Sequence, residues 1–301
     1  MIPDYVNIDD LMDLIDLALR EDVGTGDVTS NSTIDSRTKA KAIFTAKEPG
    51  VVAGLELADL VFESVDSRLS TEWFVTDGDP VSVGDELGTV EGNARSILLA
   101  ERLVLNFMQR MGGIASATRK MVERVKPYGT QILDTRKTAP GLRSLDKWAV
   151  LLGGGSNHRL GLYDMVLIKD NHIAACGGVE SALTAASDIR KKRRGEYAIE
   201  IEAKHLDQVR DIVATGLADV IMLDNMVTIQ ADGSVDTSRL DDAVKLVGGQ
   251  LRTEASGNVT LDTVGAIAST GVDAISSGSL THSVRALDIS LNVHLRDLNE
   301  A

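Results

Sequence analysis

The run Gln131-Ile132-Leu133-Asp134-Thr135-Arg136-Lys137-Thr138-Ala139-Pro140-Gly141-Leu142-Arg143 reads as a short buried strand whose C-terminal end opens into a cationic turn. The same motif of a short apolar run followed by polar residues recurs at 165–168, 198–201, 220–223, 251–255 and 274–276. Helical patterns at 179–194, 206–214, 240–247 and 261–269 separate these runs. Strands alternating with helices predict a parallel sheet, and six strands predict a full or open α/β barrel. In such folds ligands sit at the C-terminal ends of the strands.

Polar chemistry collects at those ends. The first strand delivers Asp134, Arg136 and Lys137, with Arg143 beyond; the second delivers Lys169-Asp170-Asn171-His172. The third ends at Glu200 or Glu202, and the fourth at Asp224-Asn225. Alternation puts both glutamates on one face, and Glu202 is nearer the C-terminal end. Glu202 and Asp224 suit a hard divalent cation or ribose hydroxyls, or else an ion pair with Lys169 or Lys204. Ser256-Gly257-Asn258 and Ser277-Gly278-Ser279 follow the last two strands, where barrels commonly cradle phosphate. Between the first two strands, Gly153-Gly154-Gly155 leads into His158 and Arg159, candidate donors to an anionic ligand.

Charge is segregated in the same way. From Arg95 to Lys169 there are 13 Lys and Arg against 5 Asp and Glu, in a chain of net charge −14. Guanidinium and ammonium groups pair with carboxylate and phosphate, so this segment is expected to hold a small anion. The acidic total argues against nucleic acid and anionic membrane surfaces as partners. No run approaches the length of a membrane span, and the first residues lack a signal-like pattern. The single cysteine, Cys176, excludes an internal disulfide and a thiolate metal cluster, and points to a reducing, cytoplasmic setting. Its expected role is structural and buried.

Upstream, Asn7 or Asp9 can cap a first helix whose apolar face carries Ile8, Leu11, Leu14, Ile15, Ala18 and Leu19. Residues 39–47 alternate as a half-buried strand, 55–65 read as a helix, and 69–90 as short strands between turns. A long apolar helix follows from Asn93, with Gly112-Gly113 expected to interrupt it. Arg102 on that helix serves a surface or interdomain salt bridge, or a site. Ile289, Leu291, Val293 and Leu295 alternate as a last strand returning to the first sheet. The expected organisation is an N-terminal mixed α/β sandwich domain, residues 1–112, joined by 283–301, and an open parallel α/β barrel, residues 113–282.

Taken together, these motifs resemble the quinolinate phosphoribosyltransferase family, the carboxylating nicotinate-nucleotide pyrophosphorylases. The resemblance spans nearly the whole chain. It runs through 20–29, Ala100-Glu101-Arg102, Asp134 to Thr138, Asn157-His158-Arg159, Lys169 to His172, Glu200-Ile201-Glu202, Leu223-Asp224-Asn225 and Glu254-Ala255-Ser256-Gly257. It implies that phosphoribosyl pyrophosphate and quinolinate give nicotinate mononucleotide, pyrophosphate and CO₂ with Mg²⁺, in a homodimer with shared sites. By that resemblance Arg136, Arg159 and Lys169, with His158 close by, bind quinolinate, and Arg102 reaches in from the partner subunit. Lys137 faces phosphoribosyl pyrophosphate, and Glu202 and Asp224 hold Mg²⁺ and the ribose. Ser256, Gly257, Ser277, Gly278 and His282 take the 5′-phosphate. The nearest alternative is a sister phosphoribosyltransferase of the molybdenum-transport-associated type with another acceptor base. A Schiff-base aldolase using Lys169 or Lys137 is a more distant one.

Overall fold

The fold is that of a computed structural model describing residues 1–195 and 197–295. Contacts divide the chain into two units. The first comprises residues 1–119, 139–154 and the chain from 284; the second comprises 120–138 and 155–283.

In the first unit a four-stranded antiparallel sheet is ordered Ile289–Leu295, Lys39–Ala46, Glu86–Asn93, Ser70–Trp73. The alternation along 39–46 is what builds its inner face. Ala40, Ala42, Phe44 and Ala46 are all buried, because successive side chains point to opposite faces. Phe44 meets Phe62 of the helix Leu55–Val65 edge-on at 6.2 Å and Trp73 at 5.1 Å, between ring centroids. Gly88 lies under that cluster, where a Cβ would come 2.5 Å from Trp73 Cε3. The returning strand is as the alternation of 289–295 predicts, while residues 296–301 lie outside the described residues.

Asn7 caps the first helix, Ile8–Val23, accepting from Asp9 N. Only Leu11 and Ile15 of its apolar face are buried, and Ile8 is exposed. A short helix at Val28–Thr33, capped by Asp27, was not expected from the sequence.

The long helix runs unbroken from Ala94 to Val125, through Gly112 and Gly113. The expected interruption is thus corrected. The glycines serve close approach: a Cβ on Gly113 would lie 2.1 Å from Arg285 O, and one on Gly112 2.9 Å from Leu287 Cδ2. By contacts, the division between units falls within this helix, between residues 119 and 120. The helix Arg143–Leu152 groups with the first unit as well, where Arg110 grips the fully buried Asp146 in a two-pronged pair at 2.8 and 2.9 Å.

In the second unit six parallel strands form one sheet: Gln131–Leu133, Val166–Ile168, Ile199–Ala203, Val220–Asp224, Arg252–Ser256 and Ala274–Ser276. Numbered along the chain, their order is first, sixth, fifth, fourth, third, second. The first and second strands are the two edges, so the barrel is open. All five residues of the third strand are buried, with Ile199, Ile201 and Ala203 on one face and Glu200 and Glu202 on the other. A small hairpin, Thr228–Ile229 with Val235–Asp236, is added after the fourth strand.

Candidate active site

The C-terminal strand ends of the second unit surround a cavity of about 490 Å³. Arg136 and Lys137 line it from the turn after the first strand, His158 and Arg159 from the loop that follows, and Lys169 from the end of the second. Glu202, Asp224 and Ser256 complete it from the third, fourth and fifth strands. Six elements far apart in sequence therefore deliver their polar residues to one place.

Asp134 organises the loop. It is fully buried and accepts from His158 N at 3.0 Å and from Asn157 Nδ2 at 2.6 Å. Ser156 N bonds Ile132 O at 2.8 Å and Asp134 N bonds Ser156 O at 3.2 Å, so the loop pairs alongside the first strand.

His158 lines the cavity, yet both of its ring nitrogens are engaged within the protein. Nδ1 accepts the Arg159 N–H at 2.7 Å, while Nε2 lies 3.1 Å from Glu200 Oε2 and 3.5 Å from Glu254 Oε2. Two glutamates on separate strands converge on it, a contact created only by strand pairing.

The cations are arranged differently. The Nε of Arg136 is buried and has no hydrogen-bond partner among the described residues. Arg159 is drawn below its ordinary pKa, first by burial and then by the neighbouring Arg136 guanidinium. Two guanidiniums lining one cavity, one of them with a buried and unpartnered Nε, call for an anion between them.

Across the cavity, Glu202 lies 3.6 Å from Lys169 Nζ. Burial pushes Glu202 above the usual carboxylate range, and a hydrogen bond with Asp224 and that residue's charge add to the shift. Lys204 is engaged by Asp170 at 2.6 Å, so the ion pair considered for it lies elsewhere. Adjoining carboxylates, one of them raised, form an oxygen donor set that fits a hard divalent cation. Asp224 also accepts from Asn225 Nδ2 at 2.7 Å.

The glycine turns are built for close approach. Gly257 sits at φ +92°, and a Cβ there would fall 2.2 Å from Asn225 Oδ1. A Cβ on Gly278 would lie 2.8 Å from Lys137 Cδ and 3.0 Å from His282 Cδ2, so Lys137 and His282 both pack over it. Thr281 Oγ1 bonds Lys137 O at 2.9 Å, tying the two turns together, and the hydroxyls of Ser277 and Ser279 are 2.7 Å apart. Gly257, Ser277, Gly278 and His282 are not among the residues lining the cavity, whereas Ser256 is.

Arg102 and Arg143 belong to the first unit and are not among the lining residues. Arg102 is exposed, 3.9 Å from Glu101. Cys176, expected to be buried, is exposed at the end of the short helix Asp170–Cys176, ahead of Gly177 and Gly178. Sequence reasoning missed Thr135 and Ser276 as lining residues, placed Asn225 at its strand end without a role, and gave no role to Glu254. A signal for Glu254 was available: an acid in the middle of a strand-like run has to be accommodated inside the barrel.

Two family models match the chain. The model described as quinolinate phosphoribosyl transferase, N-terminal domain, matches residues 27–112, and the C-terminal domain model matches residues 114–292. A mitochondrial decarboxylating quinolinate phosphoribosyltransferase of Nicotiana glauca is 52% identical over 291 residues, covering 94% of this chain and 82% of that protein. The crystal structure of NadC from Streptococcus pyogenes superposes with a TM-score of 0.89 at 37% identity, covering 98% of this chain and 100% of that one. The nicotinate-nucleotide pyrophosphorylase of Francisella tularensis gives 0.89 at 37% identity, covering 97% and 98%.

Proposed function

The chain belongs to the quinolinate phosphoribosyltransferase family, and we propose that the cavity at its strand ends is the place where that family's reaction proceeds. The enzyme transfers the phosphoribosyl group from phosphoribosyl pyrophosphate to quinolinate with decarboxylation, giving nicotinate mononucleotide, pyrophosphate and CO₂ for NAD biosynthesis. The observation that carries the site assignment is the pairing of Arg136 and Arg159 in one cavity, with a buried Arg136 Nε that no described residue satisfies. Quinolinate supplies what is missing, two adjacent carboxylates on a flat ring. Lys169 adds a third positive charge to the same cavity.

The chemistry explains the remaining residue types. The pyridine nitrogen forms a bond to the ribose anomeric carbon as the bond to pyrophosphate breaks, with positive charge developing on the sugar. The protein must align the two partners and receive the charge of the leaving group. Lys137 is proposed to face the pyrophosphate, supported by its place beside the Gly278 turn. Ser256, Gly257, Ser277, Gly278 and His282 are proposed to receive the 5′-phosphate. Glu202 and Asp224 are proposed to hold the ribose hydroxyls and Mg²⁺, which when bound would neutralise pyrophosphate charge. Decarboxylation then cleaves the ring carbon–carboxylate bond and leaves its electron pair on that carbon, where the positive charge of the adjacent quaternised nitrogen stabilises it. A proton replaces CO₂ on the carbon, so no further electron sink is required.

A homodimer in which Arg102 crosses to the partner's site is part of this proposal, supported by the exposure of Arg102. So is a reducing, cytoplasmic setting, supported by a single cysteine with no second thiol to pair. No helix among the described residues is long and apolar enough to cross a membrane.

The test is release of pyrophosphate and CO₂ from quinolinate and phosphoribosyl pyrophosphate with Mg²⁺, with nicotinate as the control acceptor. Release with quinolinate alone is expected. Equal turnover of nicotinate, or none from folded protein, would shift the assignment to a sister transferase.

A further inference from the structure

Beneath the candidate site, a loop and two strands bring together His158, Glu200 and Glu254, a cluster that the reaction chemistry leaves without a role. Glu200 and Glu254 are 1% and 2% exposed. Each keeps one carboxylate oxygen, Oε1, buried and without a hydrogen-bond partner among the described residues. Two ionised carboxylates with unsatisfied oxygens in such a place would be costly. Something must neutralise one of them.

A metal ion is the first possibility, since the ligand atoms of the three residues lie within 4.8 Å of one another. The histidine argues otherwise. A backbone N–H can only donate, so the 2.7 Å bond from Arg159 N makes Nδ1 an acceptor without a proton. The ring proton is therefore on Nε2, which points at the glutamates and is not available as a ligand. The neutralising group is then a proton on one of the two acids.

We propose that Glu254 is a positioning residue for this reaction: held as a neutral carboxylic acid, it leaves the cluster with one negative charge, on Glu200. That charge accepts the Nε2–H of His158, fixing the tautomer whose Nδ1 anchors the Arg159 backbone. Arg159 is thereby aimed at the substrate dicarboxylate. The inference rests on the reading of the cavity as the quinolinate site. Burial, followed by the adjacent Glu200, pushes Glu254 up to about 7, which agrees with a proton on this residue. The charged or titratable groups facing it are Glu200 from the third strand, His158 from the loop and Arg252 from its own strand; the Ser276 hydroxyl of the sixth strand is also in reach.

The consequence is a built-in alkaline limit on substrate binding. Above neutrality Glu254 ionises, a second buried negative charge faces a pocket meant for a dianion, and the hold on His158 is shared between two carboxylates. The experiment compares wild type, Glu254→Gln and Glu254→Ala by calorimetric binding of quinolinate between pH 6 and 8.5, with phosphoribosyl pyrophosphate binding as the internal reference. Wild type should lose roughly tenfold in quinolinate affinity over that range while the reference changes little. Glu254→Gln, neutral at every pH, should keep the low-pH affinity and show no alkaline loss; Glu254→Ala should bind weakly throughout. An alkaline loss that persists in Glu254→Gln overturns the inference.

A second readout needs no substrate. A carboxyl whose pKa is raised on folding stabilises less as pH rises from its unfolded value near 4.5 to its folded value near 7. The melting temperature of wild type should therefore fall across that window relative to Glu254→Gln. Parallel curves would overturn the inference even if the transferase activity is found. If wild type melts as expected but quinolinate binds no variant, the function fails instead.

Discussion

Arg136 is the side chain of the cavity that most needs a ligand, because its buried Nε has no partner among the described residues. Removing it should separate the two substrates. A hydrogen bond to a charged group is worth roughly 1.5–3 kcal/mol, so Arg136→Ala should weaken quinolinate binding about 10- to 100-fold. Phosphoribosyl pyrophosphate should bind nearly as before, and direct titration of each ligand checks the split; equal losses would contradict the assignment. Arg136 was legible in the sequence as a cation at an expected strand end, and Arg159 as one in the glycine-led loop between the first two strands. His158 was legible only as a candidate: its neighbours Arg159, Glu200 and Glu254 consume its ring nitrogens, and the two glutamates are distant along the chain. Residue types can be read in order, whereas hydrogen-bond satisfaction depends on neighbours brought by folding.

The helix Ala94–Val125 shows the same limit among elements. Two adjacent glycines ordinarily weaken a helix, and on propensity alone they predict a break. The helix continues because the chain at 285–287 crosses it so closely that no side chain fits. Gly113→Ala should then destabilise despite better helix propensity. The added Cβ meets backbone, Arg285 O at 2.1 Å, which cannot rotate away. Overpacking of about 3 kcal/mol against a propensity gain of about 1 leaves a net loss of roughly 2 kcal/mol. A lower melting temperature or denaturant midpoint would report it; a neutral or stabilising outcome would mean that the crossing is looser than described. By contrast, the strand at 39–46 follows from sequence alternation because one face is packed and the other is not, and in the returning strand Ile289 and Leu291 are buried in the same alternation.

For the whole protein, the proposed homodimer in which Arg102 reaches the partner's site predicts complementation. Protein lacking Arg102 and protein lacking Lys137, each nearly inactive alone as Arg102→Ala and Lys137→Ala, should recover activity when mixed and allowed to exchange subunits. Each hybrid of a two-fold dimer would carry one intact site, so a 1:1 mixture should approach about a quarter of wild-type activity if exchange is complete. No recovery in demonstrated hybrids would place Arg102 in its own subunit's chemistry. Local patterning was enough to set the barrel's order of strands and helices, the antiparallel first sheet, and the cations and carboxylates at the strand ends. Period-two and helical apolar patterns are local signals, and each element can be read without its partners. Folding in three dimensions was needed to open the barrel between its first and second strands, to carry a helix through Gly112 and Gly113, and to bring Glu200 and Glu254 together under His158. Those outcomes depend on strand order, on how closely two segments cross and on which buried polar groups find partners. All three are properties of contacts between residues far apart in the chain, and no local pattern encodes them.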